Sequence, residues 1–142
     1  MKVLIGALIL LVSTFSFSQE QEERKTPEII SKIGLGETMT LTDEITQVTF
    51  LKVITDSRCP KGVTCVWAGE VEFEIEIKSG NTSEVKRMKL TGGLTPLIKE
   101  MTNLNCYALT VSPYPENGVT VDPNAYVLEM ISKAKEEKTS EK

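Results

Sequence analysis

VEFEIEIK, residues Val71 to Lys78, alternates apolar and charged side chains without a break. A period of two places Val71, Phe73, Ile75 and Ile77 on one face of an extended strand, with Glu72, Glu74, Glu76 and Lys78 on the other. A turn cluster, SGNTS, follows and then Glu84 to Leu90, a second segment of similar character. Pairing the two so that Ile75 faces Met88 and Phe73 faces Leu90 also sets Glu76 opposite Arg87 and Glu74 opposite Lys89. One register serves both faces, which predicts a β-hairpin.

The same reading extends outward. Glu37 to Leu41, Gln47 to Ile54, Cys106 to Val111 and Ala125 to Ile131 are rich in β-branched, Leu, Met or Tyr residues and are bounded by Gly, Pro, Asn or Asp. Within Thr46 to Ile54 the apolar parity changes from Val48 and Phe50 to Leu51 and Val53, the mark of a bulge or of a strand buried on both faces. SPYPENG and DPN read as turns, and Leu94 to Asn103 as the one place for a short helix. Six or seven short strands separated by turns predict an all-β fold: an antiparallel β-sandwich, or a small open barrel. The domain is expected over residues 30–131, with a charged lead-in at 19–29 and a polar tail at 132–142.

The first eighteen residues carry one basic side chain, Lys2, then an apolar run to Phe17 and small residues at Ser16 and Ser18. This is the pattern of a secretory signal peptide cut between Ser18 and Gln19, and the run is short for a membrane span, which needs about 20 apolar residues. Export to the periplasm or beyond is therefore expected, with no membrane insertion after cleavage. The chain has 16 basic and 20 acidic residues, a net charge of −4, and no basic block. Such a surface opposes phosphate-rich partners, so nucleic acid is not expected.

An oxidising compartment changes how cysteine is read. Three cysteines allow one bridge, and Cys59 with Cys65 closes the shortest loop, leaving Cys106 in an apolar alternation where burial is expected. That bridge lies in DSRCPKGVTCVWAG, Asp56 to Gly69. A ring of seven residues restrains the unfolded chain by about 2 to 3 kcal/mol in the chain-entropy account. Trp67 is expected to pack over the bridge, and Arg58 to fork onto Asp56 or Glu70. The competing reading displays Arg58-Cys59-Pro60 to a trypsin-like protease as a preorganised inhibitor loop.

With no histidine in the chain, Ser-His-Asp and Cys-His catalysis and His-ligated metal sites are excluded. No Gly-rich phosphate loop is present. Glu72, Glu74 and Glu76 lie close enough for acid–base work, but a solvated face neutralised by Arg87 and Lys89 accounts for them. Asp122, Asn124, Glu116 and Asn117 form a weak oxygen-rich cluster. No catalytic residue, cofactor or metal is assigned.

Asp56, Ser57, Arg58, Cys59, Pro60, Val63, Cys65, Trp67, Ala68 and Gly69 form the pattern D-S-R-C-P-x-x-V-x-C-x-W-A-G. In these residues the chain resembles a family of small exported bacterial proteins, many of them lipoproteins, and the likeness continues loosely into YALTVSPYP and AYVLEMI. The resemblance implies an all-β exported domain without an assigned activity. The expected function is a non-catalytic binding or envelope-associated module whose partner is a protein or another envelope component.

Overall fold

A computed structural model describes residues 28–135. The signal-like segment, most of the lead-in and the end of the polar tail lie outside the described residues. Eight strands form two antiparallel sheets: β1 (Ile29–Gly34), β2 (Thr38–Thr40), β3 (Thr46–Asp56), β4 (Glu70–Ser79), β5 (Thr82–Thr91), β6 (Leu97–Glu100), β7 (Leu104–Ser112) and β8 (Val127–Ala134). One sheet runs β1-β8-β7-β6 and the other β2-β3-β4-β5. This is the expected sandwich.

The alternation at Val71 to Ile77 decides the inner face as read: all four apolar side chains are buried, and Phe73 meets Phe50 edge to face at 5.9 Å. Val48, Met88 and Leu90 complete that half of the core, against Ile33, Ile98, Ala108, Val111, Leu128 and Met130 of the opposite sheet. Cys106 is free and fully buried among them.

The hairpin forms in a register shifted by two residues. Phe73, not Ile75, lies opposite Met88, Glu74 lies opposite Arg87 and Glu72 opposite Lys89. The turn explains the shift. Gly80 and Asn81 make the two-residue loop between Ser79 and Thr82, with φ of 59° at Gly80, where a side chain is disfavoured. A shift of two preserves parity, so the same side chains still face the core. Lys86 falls on the inner face at the sheet edge and donates to the carbonyls of Leu97 and Ile98, bridging the two edge strands.

Three boundaries differ from expectation. Leu97–Glu100 is a strand, not a helix, because it pairs with β7 and buries Ile98. Ile29–Gly34, which begins in the expected lead-in and carries no strand pattern of its own, pairs with β8 as an edge strand. Ser132 to Ala134, in the expected polar tail, continue β8 because β7 reaches that far beside them.

β3 carries register shifts between Phe50 and Lys52 and between Val53 and Thr55. Each inserts an extra residue, so Phe50, Val53 and Asp56, opposite Ile75, Phe73 and Val71, share the inner face. The two bulges deliver a carboxylate to the end of the core.

Candidate functional site

At that end Asp56 meets Arg58. The guanidinium donates from Nε to Asp56 Oδ1 at 2.8 Å and from Nη2 to Oδ2 at 2.5 Å, a fork onto one carboxylate. Both side chains are over nine-tenths buried. Nη1 also donates to the Val111 carbonyl at 2.5 Å and Nη2 to that of Pro113 at 3.2 Å, so Arg58 ties the end of β3 to the end of β7 in the other sheet. The Tyr114 ring covers the guanidinium at 4.7 Å, and the Tyr126 hydroxyl donates to Asp56 Oδ2 at 3.2 Å. Burial and the neighbouring carboxylate raise the Tyr126 pKa above its ordinary value.

The loop from Ser57 to Gly69 is held at its base by strand-like bonds. Ser57 N donates to Glu70 O and Cys59 N to Ala68 O, both at 2.8 Å. The Cys59–Cys65 disulfide closes it, with a Cα separation of 5.9 Å. A third tether is Lys61, whose N–H reaches Pro115 O at 2.9 Å while its carbonyl accepts from Asn117 N at 3.1 Å. Gly62 adopts a φ of 85° inside the ring.

One expectation about this loop changes, and the choice between Asp56 and Glu70 as partner of Arg58 is decided for Asp56. Trp67 does not cap the bridge: it is 82% exposed, and Val66 beside it is fully exposed. The backbone bonds at the loop base and the disulfide already hold the corner without the indole as a cover. Glu70 does not receive Arg58 but pairs with Lys89 at 2.8 Å and accepts from the Thr91 hydroxyl, because the bulged β3 presents Asp56 inward first. Arg58, the side chain an inhibitor loop would display, is enclosed. That removes the basis of the inhibitor alternative.

The acidic face behaves as a solvated one. Lys52 and Arg87 flank Glu74 at 3.1 and 3.3 Å, Arg87 stands 3.7 Å from Glu72, and Ser83 donates to Glu76 at 2.7 Å. Hydrogen bonds from Lys52 to Glu74 and from Ser83 to Glu76 hold both carboxyls below their ordinary pKa, so they are charged at neutral pH and poor general acids. Asp122 accepts from Asn124 N at 2.9 Å and caps a single 3-10 turn, Pro123–Ala125. Among the described residues no cluster of His, Cys, Asp or Glu is arranged to hold a metal.

Beside the Asp56–Arg58 pair, a cavity of about 230 Å³ opens between the loop, the Gly92-Gly93-Leu94 turn and β7. A cleft of about 240 Å³ walled by Trp67 lies next to it, and the two share Ala68, Gly69 and Thr91. Tyr114, Tyr126, Leu94 and Leu109 carry no sequence signal linking them to Arg58, since the fold alone brings them there. No family model, curated protein or solved structure matches this chain.

Proposed function

We propose that this protein is an exported, non-catalytic binding module of the bacterial envelope, which engages a protein or other envelope component through the tip of its disulfide loop. The observation that carries the reading is Trp67, 82% exposed on a loop fixed at both ends and bridged across its middle. A large aromatic is usually withdrawn from water in a stable domain. Displayed on a rigid support, it has the properties of an interface anchor: large contact area and little conformational entropy left to lose. Val66 extends the apolar tip.

Export is supported by the leader-like first eighteen residues and by the Cys59–Cys65 bridge, which persists in oxidising compartments. No helix among the described residues is long and apolar enough to cross a membrane. A non-catalytic role is supported by the pairing of the strand-face carboxylates with cations and a hydroxyl, and of Asp56 with Arg58.

The test is site-specific photocross-linking in intact envelope, with the reactive side chain at position 67 or, as control, at exposed Val85 on the outer face of β5. A discrete adduct from position 67 alone, competed by unlabelled protein but not by its Trp67→Ala variant, is the expected result. Equal labelling from both positions, or equal competition by the variant, rejects the reading.

A further inference from the structure

The cavity beside Arg58 has a composition that the Trp67 contact does not use. Its walls are mostly apolar, with Val71 and Leu90 from one sheet, Leu109 and Val111 from the other and Leu94 at the mouth, and Thr91, Thr110 and Tyr114 also in the lining. Leu109 sits at a bulge between Ala108 and Thr110, which turns it out of the regular ladder and into the cavity wall. Arg58 is the one charged residue in the lining, and Asp56 already neutralises it. An anion entering here would meet a guanidinium whose charge Asp56 already balances, and a cation would find no carboxylate in the walls among the described residues.

Arg58 nevertheless has something left to offer. A guanidinium carries five N–H donors. Four are engaged: Nε and one on Nη2 by Asp56, the second on Nη2 by Pro113, and one on Nη1 by Val111. The remaining N–H is on Nη1, in a side chain that lines the cavity. An apolar space of about 150 Å³ accepts a benzene ring, so about 230 Å³ takes a ring bearing a short polar arm.

We propose that this cavity is a binding site for a small neutral apolar molecule with one acceptor oxygen, a ketone, ester or amide, seated with that oxygen on Arg58 Nη1 and its hydrocarbon among Leu90, Leu94 and Leu109. The site goes beyond the Trp67 contact and does not depend on it. A hydrogen bond from a charged donor makes the oxygen worth about tenfold in affinity over the same hydrocarbon without it.

The test titrates isotope-labelled protein with acetophenone, ethylbenzene and benzoate, following backbone amide resonances by NMR. Acetophenone should give saturable shifts centred on Gly92, Gly93, Leu109 and Thr110, at about tenfold higher affinity than either comparison compound. Equal binding of ethylbenzene removes the role of Arg58, tighter binding of benzoate removes the neutral-ligand assignment, and shifts elsewhere or none remove the site. Because Arg58 variants are liable to unfold, the second arm fills the space with Leu109→Trp. This variant should keep a dispersed spectrum and lose acetophenone binding at least about tenfold. Retained binding in a folded Leu109→Trp protein overturns the proposal.

Discussion

The carbonyl oxygen of Ser57 lies 1.9 Å from the point where a β-carbon on Gly69 would stand. The two chain segments of the loop base cross here without room for a side chain, and Gly69 also has a φ of 71°. The contact lets Ser57 and Glu70 bond and so sets where β4 begins.

Gly69→Ala should therefore cost more than conformation alone. The comparison is Gly92, also at positive φ (52°) but with open space around it. Gly92→Ala should lose about 1 kcal/mol of unfolding free energy from backbone strain, and Gly69→Ala about 3 kcal/mol or more, because the backbone must also separate. Urea denaturation of both variants measures the difference. Equal losses would show that the crossing has no energetic weight.

The bridge and the alternating strands were legible in the sequence because each is a local constraint: a short loop, a two-residue period. What was not legible came from partners far along the chain. Val111, Pro113, Tyr114 and Tyr126 close around Arg58 from more than fifty residues away. β1 became a strand through β8, not through its own pattern. Trp67 differs for a related reason: its apolar bulk argues for burial, but whether a cover exists depends on the rest of the fold, which leaves it 82% exposed. The hairpin shows the limit in miniature, since alternation fixes the face while the choice of turn residues fixes the partner.

Arg58 and Asp56 should behave as one unit. Removing either partner leaves the other charged and enclosed, so Asp56→Ala and Arg58→Ala should each destabilise by about 3–5 kcal/mol. The double variant should cost less than the two losses added, because it strands no charge. Arg58→Lys should rescue little, since an ammonium cannot reproduce the two-point fork or rest on the Tyr114 ring as a plane. A double-mutant cycle in urea decides it. Strictly additive losses would mean that the two side chains stabilise the corner independently.

Cys106 and the bridged pair should separate by reactivity. Burial raises the Cys106 pKa, only partly offset by a hydrogen bond with Ser132, so at neutral pH it is an enclosed thiol and not a thiolate. Iodoacetamide should leave the native protein unmodified, add one group after unfolding without reductant, and three after unfolding with reductant, read by intact mass. Cys65→Ser should lose about 2 kcal/mol of stability and lower the fluorescence anisotropy of Trp67, the single tryptophan, as the loop is released. Unchanged anisotropy would mean that the bonds at the loop base alone hold the tip.

Tyr126 links the same corner to pH. Its folded-state pKa is raised, by burial first and by Asp56 second. The unfolded chain then releases the phenolic proton at a lower pH than the folded one, near the ordinary value of about 10. Below that value the contribution of Tyr126 to stability is fully present, and it is lost as pH rises toward and through the folded pKa. Tyr126→Phe should lose about 1 kcal/mol at neutral pH with the bond to Asp56, but its stability should fall less steeply above about pH 10. The raised Cys106 pKa acts in the same direction in both proteins, so it cancels in their difference. Urea unfolding across the alkaline range gives the two curves, and ultraviolet titration should show a phenol ionising above its ordinary pKa in the parent protein that is missing from Tyr126→Phe. Parallel curves would remove Tyr126 as the source of the alkaline loss and leave its hydroxyl as a hydrogen-bond donor alone.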